Sequence, residues 1–402
     1  MFTARQQLAL KELTSGAALS HTSKTEVKQL YSAVISRCAD YWSSGVIWAQ
    51  EGEFVAHTFS RQALPIVWDF AEAVPWSDSS GNFDGAVEWV ARVAEHTQSI
   101  GQTGQVQAAD ACFSPLSDDS CSVWFTDPPY YDAVPYADLS DFFYVWLKRS
   151  LPNDSLFTEF LTPKEKEITQ DEIQKVNGGV KDKVFFERQM AVAFKQGRRT
   201  LADDGIGCVV FAHKTTEGWE ALLSGMLKGG WTITGSWPIS TERPGRLRAQ
   251  ESAALSASIH LVCRPRPENA GIGDWTNIYN EMKDKVANWM ERLAEEGVRG
   301  ADLVFACIGP ALEVYSRYEK VVDANDTEIP LGGDPLAAEP YQRGYLSYIW
   351  EVVGRTALEQ VLGTAEARAR NGAAGVLEED ARLTALFLWT LMSSVAENGN
   401  GA

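Results

Sequence analysis

Apolar residues in the first forty positions recur at helical spacing. Leu8, Leu10 and Leu13 share one face, and Val27, Leu30, Tyr31 and Val34 share another. Two short apolar runs, Val46-Ile47-Trp48 and Phe54-Val55-Ala56, flank Glu51-Gly52-Glu53 and predict a hairpin from Gly45 to His57. The apolar stretch from Gln62 to Ala73 is expected to be buried, and Ser77 to Gly85 reads as a turn-rich loop. Ala86 to His96 is expected to be a helix with Val87, Val90 and Val93 inward.

From there the pattern changes to strands alternating with helices. Gln105–Ala109 and Ser122–Thr126 are expected strands ending at Asp110 and Asp127. Asp138–Leu151 is an aromatic helix, whose Phe142, Phe143, Tyr144, Trp146 and Leu147 read as core. The polar run Pro152–Gly179 reads as a mobile insertion. Helices over Val184–Leu201 and Trp219–Lys228 alternate with strands over Ile206–Ala212, Trp231–Trp237 and Ser256–Cys263, the last stopped by Arg264-Pro265-Arg266-Pro267. Such alternation implies an α/β domain with a mostly parallel sheet covered on both faces. Beyond Asp274 the pattern is helical: Asp274–Leu293, Ala301–Ile308, Ala311–Lys320, Tyr345–Leu362 and Ala381–Val395, with linkers near Pro265–Gly273 and Val322–Pro340. Three regions follow: a helical and hairpin region over 1–100, an α/β core over 101–268 and a helical tail over 269–402.

Composition narrows the class. The 402 residues suffice for two domains or one enlarged one, and 45% hydrophobic content is ordinary for a globular chain. No run approaches membrane-spanning length, and Met1-Phe2-Thr3-Ala4-Arg5 lacks a signal-peptide pattern, so a cytoplasmic location is expected. The six cysteines, Cys38, Cys112, Cys121, Cys208, Cys263 and Cys307, form no Cys-x-x-Cys pair and read as small buried hydrophobes. No metal site is expected. The five histidines are scattered singly and read as structural. The net charge of −18 argues against a simple DNA-coating protein, because phosphate binding needs clustered Lys and Arg. Any nucleic-acid contact would need a local basic face or a partner.

The chemistry concentrates where an apolar strand meets a rigid acidic turn: Val123-Trp124-Phe125-Thr126-Asp127-Pro128-Pro129-Tyr130. In open α/β sheets, ligands bind beyond the carboxyl ends of the strands. Two prolines fix φ and remove backbone donors while keeping carbonyl acceptors. A carboxylate and a directed carbonyl can together accept both hydrogens of an exocyclic amine, turning its lone pair toward an electrophile. Asp127 can stabilise positive charge on the attacking nitrogen. Tyr130 offers a flat face for a base, and base–aromatic stacking is worth about 1–3 kcal/mol. A duplex base reaches such a turn only by flipping out of the stack.

The longer run Thr126-Asp127-Pro128-Pro129-Tyr130-Tyr131-Asp132-Ala133-Val134-Pro135-Tyr136-Ala137-Asp138-Leu139-Ser140-Asp141-Phe142-Phe143-Tyr144-Val145-Trp146-Leu147 resembles the adenine-specific DNA methylases that contain a zinc ribbon, often associated with phage defence. The resemblance extends to Phe2-Thr3-Ala4-Arg5-Gln6, Arg61 to Phe70, Trp237 to Glu242, Gly300 to Leu303 and Gly309 to Glu313. It implies a Rossmann-like class I methyltransferase sheet, strand order 3-2-1-4-5-7-6, using S-adenosyl-L-methionine to methylate the N6 amine of adenine in DNA.

The family's glycine-rich strand-to-helix cofactor motif is missing here, as are its zinc-ligand cysteines. Gly101-Gln102-Thr103-Gly104 and Ser79-Ser80-Gly81 read as turns. The chain is therefore expected to correspond to the C-terminal part of the longer family protein, as a split gene, a truncated reading frame or a fragment. Its segments fit strands 3 (Gln105–Ala109), 4 (Ser122–Thr126), 5 (Ile206–Ala212), 6 (Trp231–Trp237) and 7 (Ser256–Cys263), while strands 1 and 2 are expected from a partner chain that also supplies the cofactor motif.

The resemblance places Asp110 and Thr126 at the cofactor, with a simple loop cap as the other reading of Asp110. Phe125 and Phe211 read as core. Tyr131, Asp132 and Tyr136 follow the turn and can border a flipped base or pack locally. His213 and Lys214 follow strand 5. Arg243, Arg246 and Arg248 form the best local basic patch, with a solvated loop as the alternative. Methylation of N4-cytosine or RNA, or a non-catalytic remnant in a defence or restriction-modification system, stays open.

Overall fold

The computed structural model describes residues 1–15, 24–59, 63–98, 101–132, 134–176, 179–213, 215–240, 257–298, 303 and 305–362. The expected helix over Ala381–Val395 lies outside them. The chain forms two compact units in place of three consecutive regions. One is Met1–Ala108 with Val134–Glu167, and the other is Ala109–Ala133 with Ile168–Ala402. The aromatic helix therefore belongs with the N-terminal elements, and the helical tail belongs with the sheet.

The first unit holds α1 (Ala4–Thr14), α2 (Thr25–Tyr41), the hairpin β1 (Trp48–Ala49) and β2 (Phe54–Val55), α3 (Phe83–Thr97) and α4 (Tyr136–Ser150). Thr3 starts α1 through a reciprocal capping box with Gln6, which satisfies two otherwise orphaned backbone donors. Leu10, Val34, Ile35, Cys38, Ala39, Trp42, Phe142 and Trp146 form its core. The aromatic stripe of α4 packs inward as expected, with Phe142, Tyr144 and Trp146 all buried.

Two burial expectations fail in this unit. Leu8, Val27, Leu30, Val87 and Val93 are exposed, because each helix buries a narrower stripe than its apolar count suggests. The stretch after Gln62 is not buried as a whole: Ile66 is 97% and Trp68 is 98% exposed, and only its end, near Ala73, reaches the core. The run over Pro152–Gly179 carries two short 3-10 turns, at Ser155–Phe157 and Lys164–Lys166, before entering a hairpin of the second unit.

The second unit is built on β3 (Cys121–Thr126), the hairpin β4 (Asp171–Val176) and β5 (Gly179–Lys181), α5 (Lys183–Thr200), β6 (Leu201–Phe211), α6 (Thr216–Lys228), β7 (Trp231–Ser240) and β8 (Ala257–Pro265). Then come β9 (Ile272–Asp274), α7 (Trp275–Glu295), α8 (Ile308–Ser316), β10 (Lys320–Val322), α9 (Pro340–Arg343) and α10 (Tyr345–Leu362).

The central sheet has the order β3-β6-β8-β7. It is mixed, which corrects the mostly parallel expectation. Only β3 and β6 are parallel, while β8 runs antiparallel to both neighbours. The reason is connection: β7 and β8 are consecutive and Ser240 faces Ala257, the geometry of a hairpin. The expected strand over Gln105–Ala109 does not form. Those residues are irregular and exposed, and no partner strand stands beside them among the described residues.

One face of the sheet is a continuous core. Trp124 stacks on Trp231 at 5.0 Å and 21°, and Trp231 Nε1 donates to the Phe194 carbonyl of α5 at 2.9 Å. Gly197 permits this packing, since a β-carbon there would overlap the Trp124 ring. Val209, Phe211, Ile259 and Leu261 join Phe186, Met190, Trp219 and Leu222 from α5 and α6. On the other side α7 reaches the sheet through Trp289, which packs against Trp237.

The expected linkers are structured in part. Ile272–Asp274 pairs in parallel with Lys320–Val322, tying the tail into this unit. No described helix is long and apolar enough to cross a membrane.

Candidate active site

The strand β3 ends at Thr126, which pairs with Val209 of β6, and the acidic proline turn begins at the next residue. Asp127 is exposed and has no hydrogen-bond or ion-pair partner among the described residues. Pro128 is buried, so the turn is anchored immediately behind the carboxylate. Tyr130 is half-buried, with its ring edge-on to Phe211 at 5.4 Å. The Pro129 carbonyl accepts the Tyr131 N–H at 3.1 Å, which closes the turn.

The residues after the turn are held by the junction between β6 and α6. Tyr131 has φ of 57°, in the left-handed region. Its ring is buried against Phe186, and its hydroxyl donates to Glu217 Oε1 at 3.0 Å. Burial and the Glu217 carboxylate push its phenol pKa well above the ordinary value. It is thus a packed residue and not an open base contact.

Asp132 Oδ1 accepts from His213 Nε2 at 3.0 Å. The imidazole is buried, so of the two expected phosphate contacts His213 faces inward. Lys214 lies outside the described residues, as do Arg243, Arg246 and Arg248. Tyr136 falls in the other unit, at the first position of α4.

Asp110 lies in a turn and not at a strand end. Its side chain accepts the Cys112 N–H at 2.9 Å and its carbonyl accepts the Phe113 N–H at 2.9 Å. Phe211 is fully buried, whereas Phe125 is 60% exposed, against the expectation of a core residue. Phe125 alternates with Trp124 and faces the opposite side of the sheet, together with Val123, which is 61% exposed. Their register partners Cys208 and Ile206 share that side.

Four of the cysteines are buried, Cys121 and Cys208 are half-buried, and all six are free thiols. Burial pushes the Cys38 and Cys307 thiols up to about 12, so they are inert packing groups. No cluster of metal-binding side chains occurs among the described residues. Sequence reasoning missed Glu217, which is 86 positions from Tyr131 and has no motif of its own. The chain was compared with family models, with curated proteins and with solved structures, and no match was found in any of the three.

Proposed function

We propose that this chain carries the amine-binding half of an S-adenosyl-L-methionine-dependent DNA methyltransferase acting on the N6 amine of a flipped adenine. The observation that carries the reading is the exposed carboxylate of Asp127, unpaired among the described residues, at the carboxyl end of β3 on a turn made rigid by Pro128 and Pro129. The strand order supports it. β3, β6, β8 and β7 are the segments expected as strands 4, 5, 7 and 6, and they lie in the order 4-5-7-6 of a class I methyltransferase sheet. The resemblance described above, which extends beyond the turn, adds to this support.

Asp127 accepts one hydrogen of the amine. Since the Pro129 carbonyl is engaged by Tyr131, the second acceptor is the Pro128 carbonyl. Together they orient the nitrogen lone pair and stabilise positive charge on it. Tyr130, half-buried against Phe211, is the aromatic ring beside the amine acceptors on which the base would stack.

The described residues do not make the cofactor's cradle. A glycine-rich strand-to-helix loop is missing from the sequence, and Asp110 caps its own turn. The proposal assigns that cradle, and the strand beside β3, to a partner chain. The same deficit favours a second reading, a subunit that has lost catalysis.

Co-expression with the neighbouring gene and mass spectrometry of DNA nucleosides separate the two. N6-methyladenine that disappears with Asp127→Ala supports catalysis. Absence of any modified base supports the second reading.

A further inference from the structure

We propose that His213 and Glu217 are positioning residues that set the shape of the acidic proline turn through Asp132 and Tyr131. The inference rests on the reading of that turn as the amine-binding element.

Tyr131 adopts a left-handed backbone that an L-residue with a bulky side chain avoids unless its surroundings impose it. Here three contacts impose it. The ring is wedged edge-on against Phe186 at 5.1 Å, the hydroxyl is tied to Glu217, and the carbonyl accepts the Gln170 N–H at 3.0 Å. The next residue, Asp132, is tied to His213. Both ties come from the junction of β6 and α6, His213 from the connection and Glu217 from the first turn of α6.

His213 is itself fixed from several sides. The Thr215 N–H donates to Nδ1 at 3.2 Å and the Thr215 hydroxyl lies 2.9 Å from the same nitrogen. Nδ1 is therefore an acceptor, and Nε2 carries the hydrogen given to Asp132. The ring lies nearly parallel to Phe211, and its backbone carbonyl accepts Trp219 Nε1 at 2.9 Å. Gly218 is required beneath it, since a β-carbon there would overlap the imidazole. Thr215 also accepts the Gly218 N–H, so the same side chain caps α6 and orients the imidazole. The turn is thus locked from behind, with the Asp127 carboxylate exposed at its front.

The test uses the full chain with the partner that restores methyl transfer, S-adenosyl-L-methionine and duplex DNA. Asp132→Ala and His213→Ala are each expected to lower kcat roughly ten- to hundred-fold, the loss typical of a misplaced reacting group. The double variant is expected to lose no more than the worse single one. Asp132→Asn keeps an oxygen for the Nε2 hydrogen and is expected to recover most of the rate.

Hydrogen exchange of the full chain alone gives a reading without activity. Peptides covering 126–132 exchange faster in Asp132→Ala and in Tyr131→Phe, while α5 and β6 stay protected. Unchanged exchange over 126–132, additive losses in kcat, or an Asn variant as damaged as the Ala variant would each overturn the proposal. A wild-type complex that transfers no methyl group removes the proposed function, while the exchange comparison still decides whether the lock exists.

Discussion

The two edges of the central sheet are treated in opposite ways. At the β7 edge the chain supplies its own cover. The Ile233 N–H donates to Ser316 Oγ at 2.9 Å, Thr232 Oγ1 donates to the Ser316 carbonyl, and Ser236 Oγ donates to the Ala306 carbonyl. Gly309 lies directly against Ser236. At the β3 edge, β6 is the only strand partner among the described residues, and Val123 and Phe125 stand in solvent. A finished sheet covers or charges its edges, because unpaired backbone groups beside apolar side chains are a template for association. The contrast teaches that, among the described residues, the sheet is closed on the side away from the turn and open on the side that carries it.

The comparison is sharpened first by its common core. Trp231→Ala removes a fully buried ring, its stacking on Trp124 and its hydrogen bond to α5. Chemical denaturation should show a loss of about 3–5 kcal/mol. A much smaller loss would mean that the face beneath α5 is not the core of this unit. Next comes the closed edge. Gly309→Ala forces a β-carbon into Ser236, and Ser316→Ala leaves the Ile233 N–H without its partner. Each should cost about 1–3 kcal/mol in the same measurement. If both are neutral, α8 does not seal β7, and the contrast between the edges fails.

Much of the architecture was legible because helical periodicity is local. The spacing placed α5, α6 and α10 within a few residues, and the apolar run before Asp127 announced β3. What escaped depends on partners distant in sequence. Val106 and its neighbours make no strand because β-structure requires a ladder, and none is available to them among the described residues. The reversed direction of β8 is a property of pairing and leaves no mark on its composition. Ile66 and Trp68 are apolar yet exposed, since composition cannot say which surface receives a side chain. At the site, Asp127 to Tyr130 could be read as a motif, and Asp132 and His213 were singled out by position alone. Their mutual hydrogen bond, and the tie of Tyr131 to Glu217, belong to tertiary structure.

The smallest expected effect on stability is the one that tests the open edge most directly. Phe125 is already mostly in water, so Phe125→Ala should change the folding free energy of the isolated chain by no more than about 0.5 kcal/mol. Its effect should fall on association. If a partner strand docks beside β3, its neighbours must cover Val123 and Phe125 as well as pair with the backbone, because both side chains leave the strand on the same face. Phe125→Glu then places a charge in that contact while leaving the Trp124 side untouched. Sedimentation should show the wild-type chain binding its partner, or associating with itself, and the Glu variant remaining monomeric at the same concentration. A wild-type chain that stays monomeric and binds S-adenosyl-L-methionine unaided would show that β3 needs no neighbour. In that case the exposed pair would be ordinary surface, and the cofactor cradle would belong to this chain.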